Sequence, residues 1–129
     1  MLANLRLHNG GTLDPVTFRL VRPGGGYAVG LADGEQLMTV HALRQRILRE
    51  YVRRYPGPGA YLGVWIDRDE VCLNWSVIIS EWAAAMALAV QQGQRTMYEF
   101  ATDTVVPVSG TRHPDSCGER TSPRRLANW

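Results

Sequence analysis

The stretch AYLGVWIDRDEVCLNWSV (residues 60–77) decides the fold. Ala60 to Ile66 reads as a strand, and Asp67-Arg68-Asp69-Glu70 reads as a polar turn. Val71 to Val77 then alternates strictly: Val71, Leu73, Trp75 and Val77 share one side, Cys72, Asn74 and Ser76 the other. That is the period of side chains on a pleated strand. Two such runs around a short polar turn predict an antiparallel hairpin.

On its N-terminal side the hairpin is preceded by a helical pattern. Val40, Leu43, Ile47, Tyr51 and Tyr55 recur at spacings of three and four, which gives one apolar stripe. Thr39 suits the N-cap, and Pro56-Gly57-Pro58-Gly59 stops the helix, because proline offers no N–H to the helical ladder. On the C-terminal side, Ser80 is an N-cap candidate for a helix over 81–92, apolar on nearly every side, with Gly93 as its C′ residue. Such a helix is expected to be the more buried of the two, with Trp82 in the core beside Trp75.

Further strands are expected at Val16–Val21 and Tyr27–Leu31, a second hairpin around Gly24-Gly25-Gly26, with a turn at Asp33-Gly34. Thr96–Phe100 adds another strand, Val105–Val108 an extended edge piece, and Leu2–His8 a loosely alternating one. The predicted class is α+β: a mostly antiparallel sheet built from two hairpins plus a further strand, with two packed helices at about 39–55 and 81–92. Residues 1–108 form one domain. From Ser109 the composition shifts to Gly, Thr, Pro, Ser, Asp and Arg, which reads as a flexible, Arg-rich tail.

The chain has 129 residues, 45% hydrophobic and 20% charged, values of a globular protein. No apolar run reaches the roughly 18 residues of a membrane span. All 14 basic residues are arginine, and the net charge is +2. The excess sits in the tail, where Arg112, Arg120, Arg124 and Arg125 face Asp115 and Glu119. A neutral body argues against a DNA-binding surface that covers the domain.

Recognisable chemistry is sparse. Gly24-Gly25-Gly26 lacks the residues of a P-loop and joins strands instead of opening a helix. Asp67, Asp69 and Glu70 are too few and too close to enclose a calcium ion. His113 and Cys117 stand four apart, but no spacing completes a zinc set. Cys72 and Cys117 read as two free thiols in a reducing cytosol, and nothing supports a nucleophilic pair of His41 with Cys72. No catalytic, cofactor-binding or metal-binding residue is therefore assigned.

Partner binding is a different matter. Arg46, Arg49 and Arg53 share one side of the first helix, a surface for an acidic or phosphate-bearing partner. Trp65 is expected on the side of its strand opposite Val64 and Ile66, open for stacking. Arg124, Arg125 and Trp129 give the tail its own contacts.

From about Tyr27 to Val108 the chain resembles a group of small, largely uncharacterised proteins of actinobacteriophages and their hosts. The resembling stretches are Gly26-Tyr27-Ala28-Val29, Gly63-Val64-Trp65-Ile66-Asp67, Cys72-Leu73-Asn74-Trp75-Ser76, and Gly93-Gln94 with Met97-Tyr98-Glu99. Cys72, Asn74 and Glu99 depart from the group's pattern. The resemblance implies no activity. With the charge pattern, it favours a small non-enzymatic phage or mobile-element accessory protein. That protein would bind a host or phage macromolecule, most often a protein, in the host cytosol as a host-takeover or anti-defence factor. Two rivals stand beside it: a nucleic-acid-binding accessory protein using the same arginines, and a virion or assembly component that forms a homo-oligomer. No membrane and no cofactor enter any of the three.

Overall fold

A computed structural model describes residues 10–108. Six antiparallel strands form one sheet, in the order β1-β3-β4-β2-β5-β6. They are β1 (Gly10–Leu13), β2 (Tyr27–Thr39), β3 (Ala60–Asp67), β4 (Glu70–Ile79), β5 (Thr96–Glu99) and β6 (Thr104–Pro107). Two α-helices, α1 (Gln45–Tyr51) and α2 (Trp82–Gln91), complete an α+β domain. The expected strand at Leu2–His8 and the Arg-rich tail from Ser109 lie outside the described residues.

The 60–77 hairpin forms as the alternation predicts. Asp67 pairs with Glu70, so Arg68 and Asp69 make a two-residue turn, and Arg68 takes φ 58°. β4 is central, flanked by β3 and β2.

The other predicted hairpin is corrected. Val16–Val21 is not a strand, and Val16 is 86% exposed. Asp14 Oδ1 accepts from the backbone N–H of Val16 (2.8 Å) and Thr17 (2.9 Å), which folds the chain into a side-chain-capped turn. Phe18 sits at φ 59°, incompatible with a strand. The chain returns only far enough for Leu20 to bridge Leu13. The true neighbour of β2 is β4, and the expected turn at Asp33-Gly34 is a bulge inside β2. Between Leu31, opposite Trp75, and Gln36, opposite Leu73, three extra residues of β2 are looped out.

The helix expected over 39–55 is interrupted. Val40–Ala42 is one 3₁₀ turn and Val52–Arg54 another, and only Gln45–Tyr51 is α-helical. Leu43 breaks the run with ψ 115°. Arg44 Nη1 donates to the carbonyls of His41 (2.7 Å) and Leu43 (2.9 Å), so the break is satisfied by a side chain. Thr39 precedes the 3₁₀ turn without a side-chain capping bond. The C-terminus of α2 follows the sequence closely. Gly93 N–H donates to Val90 O (3.0 Å) and Gln94 N–H to Ala89 O (2.9 Å), the paired bonds of a Schellman motif.

Both helices cover the same side of the sheet. α1 contributes Leu48 and Tyr51 to a core with Leu13, Leu43, Leu62, Val64, Ile66, Val71, Leu73 and Trp75. Tyr51 stacks on Trp75 with ring centroids 5.3 Å apart. Its hydroxyl donates to Gly34 O (2.6 Å) and ties α1 to the bulge. α2 rests Ala85 and Ala89 on Val29 and Met97 in a smaller core. Each buried aliphatic side chain contributes about 1.5–3 kcal/mol, so the α1 core carries most of the stability. The expectation that the alanine-rich helix is the more buried is corrected. Only Ala85 and Ala89 of α2 are buried, and Trp82 is 53% exposed instead of lying in the core. Alanine permits close approach but supplies little area, so one stripe suffices.

Candidate functional site

Two regions carry the polar chemistry. The first is the outer side of α1. Five arginines, Arg44, Arg46, Arg49, Arg53 and Arg54, are exposed within eleven residues that hold one acid, Glu50. Leu48 and Tyr51 anchor the opposite side in the core. Arg44 is committed to backbone carbonyls, and Arg54 lies over the Tyr51 ring, 6.0 Å from its centroid. Burial pushes the Tyr51 phenol up, and Arg54 partly opposes it. Arg46 and Arg49, on α1, and Arg53, one turn on, remain. Among the described residues these three have no ion-pair or hydrogen-bond partner.

The second is the side of the sheet that no helix of the described residues covers. The residues on this side include Thr12 of β1, Tyr61, Gly63 and Trp65 of β3, Cys72, Asn74, Ser76 and Ile78 of β4, Ala28, Gly30 and Leu37 of β2 and Tyr98 of β5. In a flat sheet β3 and β5 would lie roughly 14 Å apart, three strand spacings. Yet the Trp65 and Tyr98 rings meet edge to face, with centroids 6.3 Å apart. The sheet is therefore curled, and these two rings reach toward each other across β4 and β2.

The floor under them is buried and neutral. Asn74 is 3% exposed, Ser76 2%, Gln94 5%. Ser76 Oγ donates to Asn74 Oδ1 (3.1 Å). Gln94 arrives from the turn after α2, and Gln92 Oε1 accepts from Ala32 N–H (2.9 Å), which holds that turn against the bulge. Glycines make room for the amides. A Cβ on Gly63 would stand 2.0 Å from Asn74 Oδ1, and one on Gly30 would stand 2.9 Å from Asn74 Nδ2. Tyr98 Oη donates to Asp103 Oδ1, which fixes the ring. Burial, reinforced by that bond and by the Asp103 charge, pushes the phenol up.

The sequence-predicted residues are thus divided. Arg46, Arg49 and Arg53 lie together on the helical side, and Trp65 lies on the opposite, concave side, where it partners Tyr98. Val64 and Ile66 do occupy the core side of β3, and Trp65 is half-buried opposite them. Arg124, Arg125 and Trp129 lie outside the described residues. His41 and Cys72 do not converge: His41 is exposed beside α1, and Cys72 is buried on the concave side. Cys72 is disulfide-bonded, which corrects the expectation of a free thiol; its partner lies outside the described residues. Among the described residues no group of three or more His, Cys, Asp or Glu could hold a metal ion, and no helix is long and apolar enough to cross a membrane. Sequence reasoning missed the Asn74–Ser76–Gln94 floor. Its one local signal was an Asn and a Ser alternating with core residues, opposite a glycine in the neighbouring run.

No protein-family model, curated protein or solved structure matches the chain.

Proposed function

We propose that the protein is a small non-enzymatic accessory protein that binds an acidic macromolecule, a protein in the first instance, through the outer side of α1. One observation carries the reading: Arg46 and Arg49 on α1 and Arg53 on the 3₁₀ turn that follows are exposed and uncommitted, on a segment whose other side is locked into the core. A rigid mount lowers the ordering cost of binding, and guanidinium forks suit carboxylates and phosphates. The resemblance to actinobacteriophage proteins supplies the context, a phage or mobile-element product acting on a host or phage target.

Affinity capture with the full chain as bait, beside the Arg46→Glu/Arg49→Glu/Arg53→Glu variant, tests the assignment. Partners held by the wild type and lost from the variant support it. The same partners on both overturn it. A gel shift at two salt concentrations separates the outcomes. Retarded nucleic acid that is released at high salt makes phosphate the ligand, since each neutralised phosphate adds to the salt slope.

A second reading, a virion or assembly component, is favoured by Trp82, exposed on a helix with no charged residue between positions 82 and 91. A large species in size exclusion that Trp82→Glu dissolves is its expected signature.

A further inference from the structure

One end of a disulfide lies on the concave side of the sheet. Cys72 is disulfide-bonded and buried. It sits on β4 between Trp65 of β3 and Leu37 of β2, on the side that neither α1 nor α2 covers. The chain has two cysteines, and the other is Cys117. A disulfide holds its two Cα atoms roughly 4.4–6.8 Å apart, so a bond within the chain brings residue 117 onto this side. Reach permits it. Val108 N–H donates to Arg95 O (2.7 Å), which anchors the end of β6 at the start of β5. From β6 to β4 is three strand spacings, roughly 14 Å, and residues 109–117 can extend up to roughly 30 Å. The chemistry also matches. Asn74, Ser76 and Gln94 form a buried, neutral polar floor near Cys72, and an apolar cover would strand their polar groups. Residues 109–117 read SGTRHPDSC, rich in hydroxyls and free of Leu, Ile, Val, Phe, Tyr and Trp.

We infer that residues 109–117 are a strap across the concave side of the sheet, pinned by a Cys72–Cys117 disulfide, and that reduction of this bond releases it. The bond closes a loop that runs from β4 through α2, β5 and β6, so it ties the smaller core back to the centre of the sheet. A dithiol opens it by exchange. The two thiols of the reductant become a disulfide, and their two electrons and two protons pass to the sulfurs of Cys72 and Cys117. Residues 118–129, with Arg120, Arg124, Arg125 and Trp129, then start from a fixed point on the sheet in the oxidised chain and from the end of β6 in the reduced one. The strap lies across the sheet from α1, and the inference does not depend on the arginine surface.

Peptide mapping tests the pin. The full chain is equilibrated with oxidised glutathione, its free thiols are blocked, and it is digested without reductant. A Cys72–Cys117 peptide pair from the monomer is expected. Free thiols, glutathione adducts or a bond between two copies overturn the inference. Alkylation then tests the strap. Iodoacetamide should leave Cys72 untouched in the oxidised wild type. In the folded chain reduced with dithiothreitol, and in folded Cys117→Ser, it should label Cys72 within about tenfold of the rate in the urea-unfolded chain, since a thiol reacts as fast as it is exposed. Slower labelling means that the sheet itself buries the thiol, and it overturns the strap. Near-UV circular dichroism checks that both reduced forms are folded; where they are not, the mapping decides alone.

Discussion

The two sides of β4 are buried for opposite reasons. On one side, Val71, Leu73 and Trp75 meet the apolar surface of α1 and β3, and area removed from water holds them there. On the other, Cys72, Asn74 and Ser76 are equally hidden, yet Asn74 and Ser76 carry polar groups that need partners and Gly63 and Gly30 are thinned to admit them. Strict alternation ordinarily describes a strand with one wet side. In this protein it describes a strand with a dry core on one side and a shielded polar floor on the other. Polarity along a central strand therefore reports the chemistry of each side and not its exposure.

Substitutions can break or sharpen that contrast. The largest effect is expected from Trp75→Ala, which empties the centre of the apolar side where Tyr51 and Tyr55 both pack. Urea unfolding should show a loss of about 3–5 kcal/mol; a loss under 1 would mean that this side is not the main core. Next comes Gly63→Ala on the polar side. Its Cβ would meet Asn74 Oδ1 at 2.0 Å, and the crowding should cost about 1–3 kcal/mol. Much of that cost should vanish in an Asn74→Ala background, a coupling that a double-mutant cycle measures. Tyr51→Phe keeps the stack on Trp75 and removes only the hydrogen bond to Gly34 O. It should cost about 1 kcal/mol, and amide exchange should rise in the bulge. Asp14→Ala, remote from both sides, should cost under about 0.5 kcal/mol. Hydrogen bonds from the Thr17 and Val16 backbone N–H groups hold the Asp14 carboxyl below the usual value. A depressed folded pKa gives stability that is present at neutral pH and is lost as pH falls through that pKa. The difference between wild type and Asp14→Ala should therefore disappear in acid.

How much of this was legible follows from the range of the forces involved. The 60–77 hairpin and the Gly93 cap were readable because alternation, a two-residue turn and a left-handed residue after a helix are local. The supposed 16–21 strand looked equally regular, but Asp14 captures its backbone two and three residues on, and a single side-chain bond pattern outweighs weak alternation. The 39–55 stripe was read as one helix because spacing does not reveal that Leu43 turns extended. Asp33-Gly34 carried the right chemistry for a reversal, but the strand continues past it as a bulge because β4 offers partners on both sides of it. The exposure of Arg46, Arg49 and Arg53 was legible because all three fall outside the local apolar stripe. The polar floor was not, because it exists only where curl brings Trp65 to Tyr98 and the turn after α2 delivers Gln94.

The burial of both sides of β4 is tested most directly at Ser76, through the urea unfolding free energy of Ser76→Lys. An ammonium forced into the shielded floor should cost at least about 3 kcal/mol, as much as truncating a core leucine. A change within about 0.5 kcal/mol, the response of an open surface, would contradict the account and return that side of the sheet to solvent.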